Sequence, residues 1–157
     1  MRVACPGSFD PITLGHLNII ERSAALYEEV VVLVTYNPSK SGMFNADERV
    51  ELISSVVSHL SNVTVDTWSG LLVDYTTAHD IPVLVKGLRS SLDYEYELPM
   101  AQMNKRLSGV ETNFLMTDPE LGYISSTLCK EVAKFGGSLD GLLPPVVVDA
   151  LLARLRQ

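Results

Sequence analysis

Apolar positions follow two alternating patterns along the chain. Short unbroken runs rich in Val, Leu and Ile alternate with longer stretches in which apolar residues recur every three or four positions. The first pattern indicates strands buried on both faces, and the second indicates amphipathic helices. After a short first strand that contains Val3 and Ala4, the expected strands lie at 30–36, 63–67, 82–86 and 112–117. This order predicts a doubly wound α/β sheet of five parallel strands with flanking helices.

Capping residues, Pro and Gly mark the expected helix boundaries. A helix should begin within one or two residues of Thr13, because Pro11 disfavours the α conformation in the residue before it. Asn45 followed by Glu48 predicts a capping box at the start of a second helix, whose apolar positions run from Val50 to Leu60. Pro99 should kink its helix or mark the effective start. The remaining helices are expected at 71–78, at 93–107, after 125–127 and at 145–155.

Composition narrows the class of protein. The chain has 157 residues, of which 46% are hydrophobic, which suits a single Rossmann-like domain over 1–157. No apolar run approaches the length of a bilayer span, and Met1-Arg2 leads into a strand rather than a signal peptide. We therefore expect a cytoplasmic protein without a membrane partner. The formal net charge of −7 argues against general nucleic-acid binding, which depends on neutralising phosphates with Lys and Arg.

Several motifs that would indicate other chemistry are missing. The chain has no Gly-x-Gly-x-x-Gly fingerprint after its first strand, no Walker-type phosphate loop, no Ser nucleophile elbow and no His-Glu-x-x-His zinc helix. Cys5 and Cys129 have neither the pairing of a disulfide framework nor the spacing of a zinc site. His59 and His79 are expected at the surface or at helix ends. A nucleotide, if one binds, must use other loops.

Polar and basic residues follow most of the predicted strands. Because carboxyl ends of parallel strands meet at one edge of a sheet, these residues should lie together. Cations, an imidazole and helix N-termini form a site suited to phosphate. The candidates are Ser8 and His16 after the first strand, Lys40 after the second, Lys86 and Arg89 after the fourth, and Ser125-Ser126-Thr127 after the fifth.

Four blocks of sequence carry a family resemblance. Thr13-Leu14-Gly15-His16 resembles the signature of nucleotidyltransferases related to class I aminoacyl-tRNA synthetases. The four blocks are 7–11 leading to 13–16, 37–40, 86–89 with 93–97, and 124–131. In order and spacing, they together resemble the bacterial phosphopantetheine adenylyltransferases. The Lys-Gly-Leu-Arg and Asp-x-Glu-Tyr-Glu segments favour this family over its nicotinamide-mononucleotide and cytidylyl relatives.

The resemblance implies transfer of AMP from ATP to 4′-phosphopantetheine, which gives dephospho-coenzyme A and pyrophosphate in the penultimate step of coenzyme A biosynthesis. It also implies dependence on Mg²⁺ and a homohexamer. The catalytic residues would be His16, Lys40 and Arg89. The acceptor would contact Ser8, Lys40, Leu72, Lys86 and Arg89. ATP would contact Ser8, Phe9, His16, Gly87, Leu88, Arg89, Glu97, Leu121, Gly122, Tyr123, Ile124, Ser125, Ser126 and Thr127.

The side chains available predict a direct in-line displacement. The nucleophile is a phosphate oxygen that already carries negative charge, so neither a base nor a covalent intermediate is needed, and catalysis rests on positioning and charge stabilisation. Mg²⁺ would be held mainly by substrate oxygens and water, since no all-protein cage is visible. One departure from the family is Leu121, which stands where an aromatic residue is common.

Two other functions agree with the same pattern. A related nucleotidyltransferase could use another acceptor, such as a mononucleotide, and a panel of acceptors would separate the two. A non-catalytic adenine-nucleotide sensor would bind ATP without turnover. The presence of both His16 and Lys40 argues against a sensor, because a sensor needs no group aimed at the α-phosphate.

Overall fold

The structure is a computed structural model that describes residues 1–157. A single five-stranded sheet, parallel throughout, forms its centre and confirms the predicted α/β class. The strands are β1 (Arg2–Gly7), β2 (Glu29–Thr35), β3 (Val63–Trp68), β4 (Val83–Leu88) and β5 (Glu111–Met116). The helices are α1 (Leu14–Leu26), α2 (Ala46–Val56), α3 (Leu72–Ala78), α4 (Ser91–Ser108), a 3₁₀ helix (Pro119–Leu121), α5 (Ser126–Lys134) and α6 (Pro145–Leu155).

The strand order places a crevice between β1 and β4. The order is β3-β2-β1-β4-β5, so the chain winds in one direction from β1 and then crosses back over to β4. β1 pairs with β2 along its whole length, from Arg2 to Gly7, but it pairs with β4 only at Val3 and Ala4. The carboxyl ends of these two central strands therefore diverge. This reversal of strand order is the topological switch point at which such sheets bind ligands.

Both faces of the sheet are covered, as the continuous apolar strands require. Alternate residues of β2 enter different clusters: Val32 and Val34 pack with residues of α2, α5 and α6, whereas Val31 and Leu33 pack with residues of α3. Val30 to Val34 are all essentially inaccessible to solvent. No helix combines the length and apolar character needed to cross a membrane.

Side-chain caps fix the starts of four helices. Thr13 and His16 form a capping box at α1, and Asn45 and Glu48 form the predicted box at α2. Ser90 caps α4 and Ser125 caps α5, each accepting a hydrogen bond from a backbone N–H of the first turn. Each cap satisfies a backbone donor that would otherwise lack a partner. The predicted bounds of α6 are confirmed.

The larger differences from the predicted boundaries lie in β4, α4 and α2. β4 continues past Lys86, because Gly87 and Leu88 pair with β5 and extend the ladder. α4 begins at Ser91 and passes through Pro99, so Pro99 does not mark its start. α2 ends at Val56, which leaves Val57 and Leu60 outside the helix, and the 3₁₀ helix had no counterpart in the predicted elements.

Candidate active site

A cavity lies where β1 and β4 diverge. It has a volume of about 320 Å³ and is lined by Cys5-Pro6-Gly7 of β1 and by Val85-Lys86-Gly87 of β4. This volume is within the range of small-molecule sites. Gly87 is needed here because a Cβ at this position would lie 2.8 Å from Cγ1 of Ile19 in α1. The cavity thus forms at the edge to which the sequence assigned the phosphate-binding residues.

His16 lies in the first turn of α1, and its two ring nitrogens have different surroundings. Nδ1 accepts a hydrogen bond from the backbone N–H of Thr13 at 3.0 Å, while Thr13 Oγ1 accepts one from the backbone N–H of His16 at 3.2 Å. A nitrogen that accepts such a bond carries no proton, so the neutral ring has its proton on Nε2. The ring lines the cavity, and Nε2 has no hydrogen-bond partner within the protein.

The surroundings of His16 also keep its ring uncharged. Burial of the ring, together with the positive charge of Arg89, lowers the pKa of His16 from 6.5 to about 4. Phe9 supplies part of this apolar environment, with its ring edge-on to the imidazole at a centroid distance of 5.0 Å. At pH 7 the side chain is therefore a neutral N–H donor facing the cavity.

Two cations enter the cavity from β4 and the residue after it, each held by a carboxylate of α4. Lys86 Nζ donates to Glu97 Oε2 at 2.7 Å, with both side chains largely buried. Arg89 donates through Nε to Asp93 Oδ2 at 3.1 Å and through Nη1 to the carbonyl of Ile124 at 3.1 Å. Burial raises the pKa of Asp93, but hydrogen bonds from the Arg89 side chain and backbone outweigh it, so the pKa is lowered overall. Arg89 is therefore oriented before any ligand arrives.

Two helices direct their N-termini toward the cavity. Gly15 and His16 of α1 line it, as do Ser125 and Ser126 at the start of α5. Ser126 Oγ donates to the carbonyl of Pro11 at 2.7 Å and ties the start of α5 to the loop before α1. Helix N-termini carry partial positive charge and attract anions. Together with the two cations, they suit a ligand rich in phosphate.

The structure brings one group of the predicted site residues together and leaves another outside the cavity. Leu88 is buried within β4, and Tyr123 is exposed on the loop before α5. Lining the cavity are Ser8, Phe9, His16, Lys86, Gly87, Arg89, Glu97, Ile124, Ser125 and Ser126. Outside its lining are Lys40, Leu72, Leu88, Leu121, Gly122, Tyr123 and Thr127.

Lys40 is the catalytic candidate that lies apart. It is exposed on the loop between β2 and α2, where its backbone N–H donates to the carbonyl of Asn37 at 3.0 Å. It lines a neighbouring hollow together with Arg49 and Arg154. Its ammonium forms no ion pair within the protein. The predicted role of Lys40 in acceptor binding therefore stays a prediction.

Comparison with known proteins identifies the family of this chain. A cytidylyltransferase-like family model matches residues 4–132. A phosphopantetheine adenylyltransferase of Corynebacterium efficiens is 69% identical over 158 residues, covering 100% of this chain and 99% of the relative. The chain belongs to the phosphopantetheine adenylyltransferase family. Enzymes of that name from Corynebacterium diphtheriae and Streptomyces coelicolor are 62% and 53% identical, each covering 99% of this chain and 98% of the relative.

In this member of the phosphopantetheine adenylyltransferase family, some cavity residues were not among the predicted site residues. Asp93, which orients Arg89, was named only as part of a motif, although its position four residues after Arg89 is a spacing that favours an ion pair. Thr13 also lines the cavity, and it holds His16 in place through the capping box of α1. Ile19 and Ile20 form part of the apolar wall of the cavity. Helical periodicity alone predicts only that such residues are buried in the core.

Proposed function

We propose that this protein transfers AMP from ATP to 4′-phosphopantetheine in the cytoplasm, giving dephospho-coenzyme A and pyrophosphate. The observation that carries the proposal is the neutral imidazole of His16, whose Nε2–H is free at a helix N-terminus, in a cavity that also contains Lys86 and Arg89. A neutral N–H donor can stabilise the negative charge that develops on the α-phosphate without transferring a proton to it. Family membership supports the same substrates, through the name that the relatives carry.

The proposed reaction is a direct displacement. The phosphate of phosphopantetheine attacks the α-phosphorus of ATP, one P–O bond forms as the bond to pyrophosphate breaks, and no proton has to move. His16 donates from Nε2 to an α-phosphate oxygen on which negative charge develops. A preorganised donor of this kind is typically worth about a hundredfold to a thousandfold in turnover. The low pKa of His16 supports a role as hydrogen-bond donor rather than as proton carrier.

The cations would align the two substrates. Arg89 is fixed by Asp93 and by the carbonyl of Ile124, so its guanidinium presents the same geometry to each incoming phosphate. Lys86 is paired with Glu97 and has further donors for the acceptor phosphate. Lys40, on its exposed loop, would contact that phosphate from the other side.

The residues of the cavity fit a magnesium ion that arrives with the nucleotide. No group of three His, Cys, Asp or Glu side chains could hold a metal ion, and the two carboxylates that line the cavity, Asp93 and Glu97, are each paired with a cation. Mg²⁺ commonly retains water and substrate phosphate ligands instead of an all-protein cage. When bound, the ion would neutralise charge on the leaving pyrophosphate.

Self-association is part of the proposal, with six chains as the expected number. α4 has no buried residue, although Leu92, Tyr96, Met100, Met103 and Leu107 recur along it at three- and four-residue spacing. Such an apolar stripe on a helix normally packs against another surface. A second copy of this chain is the occupant that the family resemblance favours.

The test is identification of the product by mass after mixing the purified protein with MgATP and phosphopantetheine. Dephospho-coenzyme A should form only when ATP, phosphopantetheine and Mg²⁺ are all present. A panel of mononucleotide acceptors provides the comparison. Equal activity with a mononucleotide would refute the assignment of the acceptor, and ATP binding without any product would favour a nucleotide sensor.

A further inference from the structure

A single buried carboxylate joins three segments around the cavity. Asp10, in the loop between β1 and α1, accepts hydrogen bonds from the backbone N–H groups of Met43 and Phe44, both at 2.9 Å. Arg49 Nε of α2 lies 3.5 Å from Oδ1, and Lys130 Nζ of α5 lies 3.4 Å from Oδ2. Four donors therefore converge on the two oxygens of Asp10.

Arg49 completes the connection between the two loops. Its Nη1 donates to the carbonyl of Ser8 at 3.2 Å and its Nε donates to the carbonyl of Phe44 at 2.8 Å. The side chains of Arg49 and Asp10 are 9% and 11% exposed, so water competes little for these bonds. Gly42 packs directly against the pair, since a Cβ there would overlap both side chains. The loop from Asn37 to Phe44 is thus held to the loop that carries Ser8 by buried, charged hydrogen bonds.

The arrangement links the two candidate substrate sites. Ser8 and Phe9 precede Asp10 directly and line the cavity, whereas Lys40 lies three residues before Met43 on the opposite loop. Phosphoryl-transfer chemistry requires nucleophile and electrophile to be aligned, and a misplacement of 1 Å can reduce the rate about a hundredfold. The side chain of Phe9 is anchored in the core, so the nucleotide side of the cavity has support that does not depend on Asp10.

We propose that Asp10 is a positioning residue, which holds the 37–44 loop against the β1–α1 loop and so sets the distance between the acceptor phosphate and the nucleotide. The inference rests on the proposed function. Asp10 would contact neither substrate and would act through Met43, Phe44 and Arg49. Replacing Asp10 should therefore lower turnover and the use of the acceptor, and it should change ATP affinity little.

The test compares Asp10→Asn with Asp149→Asn, the same chemical change at an exposed aspartate of α6. An amide has only one acceptor oxygen and would turn an NH₂ group toward one of the backbone donors. We expect exchange of the Met43 and Phe44 amide hydrogens to accelerate about tenfold or more in Asp10→Asn. Turnover should fall about a hundredfold and the KM for phosphopantetheine should rise, while the ATP dissociation constant changes less than about threefold. Asp149→Asn should match the unaltered protein in all four measurements.

Several results would overturn the inference. They are unchanged amide exchange in Asp10→Asn, turnover within twofold of the unaltered protein, or an ATP affinity that falls as far as turnover does. Should Asp10→Asn fail to fold, Gly42→Ala perturbs the same contact while every charge is kept, and it should accelerate exchange and slow turnover in the same way. An unaltered protein that forms no dephospho-coenzyme A would refute the proposed function, and the amide exchange measurement would still decide whether Asp10 holds the loop.

Discussion

His16 combines a structural and a chemical role through its two ring nitrogens. Nδ1 is used within the protein, where it accepts the Thr13 backbone N–H and completes the capping box of α1. That bond fixes the ring and leaves the Nε2 proton facing the cavity. The same residue that starts the helix is thereby oriented for a ligand at the helix N-terminus. Replacing it should therefore affect turnover far more than ground-state binding.

His16→Ala should lose about a hundredfold to a thousandfold in turnover, because the donor to the developing charge is removed. The ATP dissociation constant should change much less, since Arg89 and the start of α5 keep their contacts. Turnover of the unaltered protein should show no imidazole titration near pH 6.5. Steady-state kinetics at several pH values check the two predictions on turnover, and calorimetry checks the ATP dissociation constant. The exposed His59→Ala serves as control. Normal turnover in His16→Ala would make His16 an ordinary helix-capping residue.

The lowered pKa of His16 predicts how stability depends on pH. Folded His16 titrates at about 4 and an unfolded histidine near 6.5, so the unfolded chain takes up the proton first as pH falls. The contribution of His16 is complete above pH 6.5 and is lost progressively toward pH 4. Between pH 7 and pH 5 this amounts to at most about 2 kcal/mol of unfolding free energy. Denaturant unfolding at both pH values should show a smaller decrease for His16→Gln, and an equal decrease would contradict the prediction.

Lys40→Ala tests whether the exposed lysine positions the acceptor. Turnover and use of phosphopantetheine should both decline, while ATP affinity stays nearly intact, because Lys40 lies outside the cavity that contains His16. Calorimetry with each substrate, alongside kinetics, separates these effects. Loss of ATP affinity with acceptor affinity retained would reverse the assignment. Lys134→Ala, at an exposed lysine in the last turn of α5 that forms no ion pair, serves as the matched control.

At the scale of elements, local signals were predictable and long-range pairing was not. The capping box of Asn45 and Glu48 lies within four residues of sequence and formed as predicted, and α1 begins next to Thr13 as expected. The second box, between Thr13 and His16, is equally local in sequence but was not predicted. The extension of β4 through Gly87 depends on its partner Leu115 in β5, which no local window contains. The predicted strand ends gave the correct position of the cavity. Which side chains are neighbours within it depends on tertiary packing, which the sequence pattern does not show.

The exposed stripe of α4 predicts self-association that a single charge should disrupt. Met103→Glu places a carboxylate within the stripe, where burial against a second copy would be costly. Gln102→Glu adds the same charge at an exposed neighbouring position and should leave assembly intact. Light scattering should give a mass near six chains for the unaltered protein and a smaller mass for Met103→Glu. A monomer at micromolar concentration in the unaltered protein would contradict the prediction.

At the scale of the whole molecule, the short contact between β1 and β4 has a consequence for folding order. It joins Val3 to Val83, whereas the other strand pairs join residues much closer in sequence, such as Arg2 with Glu29 and Val83 with Glu111. Closing the longer loop costs more chain entropy, and few backbone pairs form in return. We expect the β1–β2–β3 and β4–β5 portions of the sheet to form before they join.

Pulsed hydrogen exchange during refolding checks this order. Backbone amides in the β2–β3 and β4–β5 ladders should become protected before those of the β1–β4 contact. Simultaneous protection of all three ladders would contradict it. The expected order makes the crevice the last part of the sheet to assemble, so partly folded chains would contain most of their strands and yet have no place for a nucleotide.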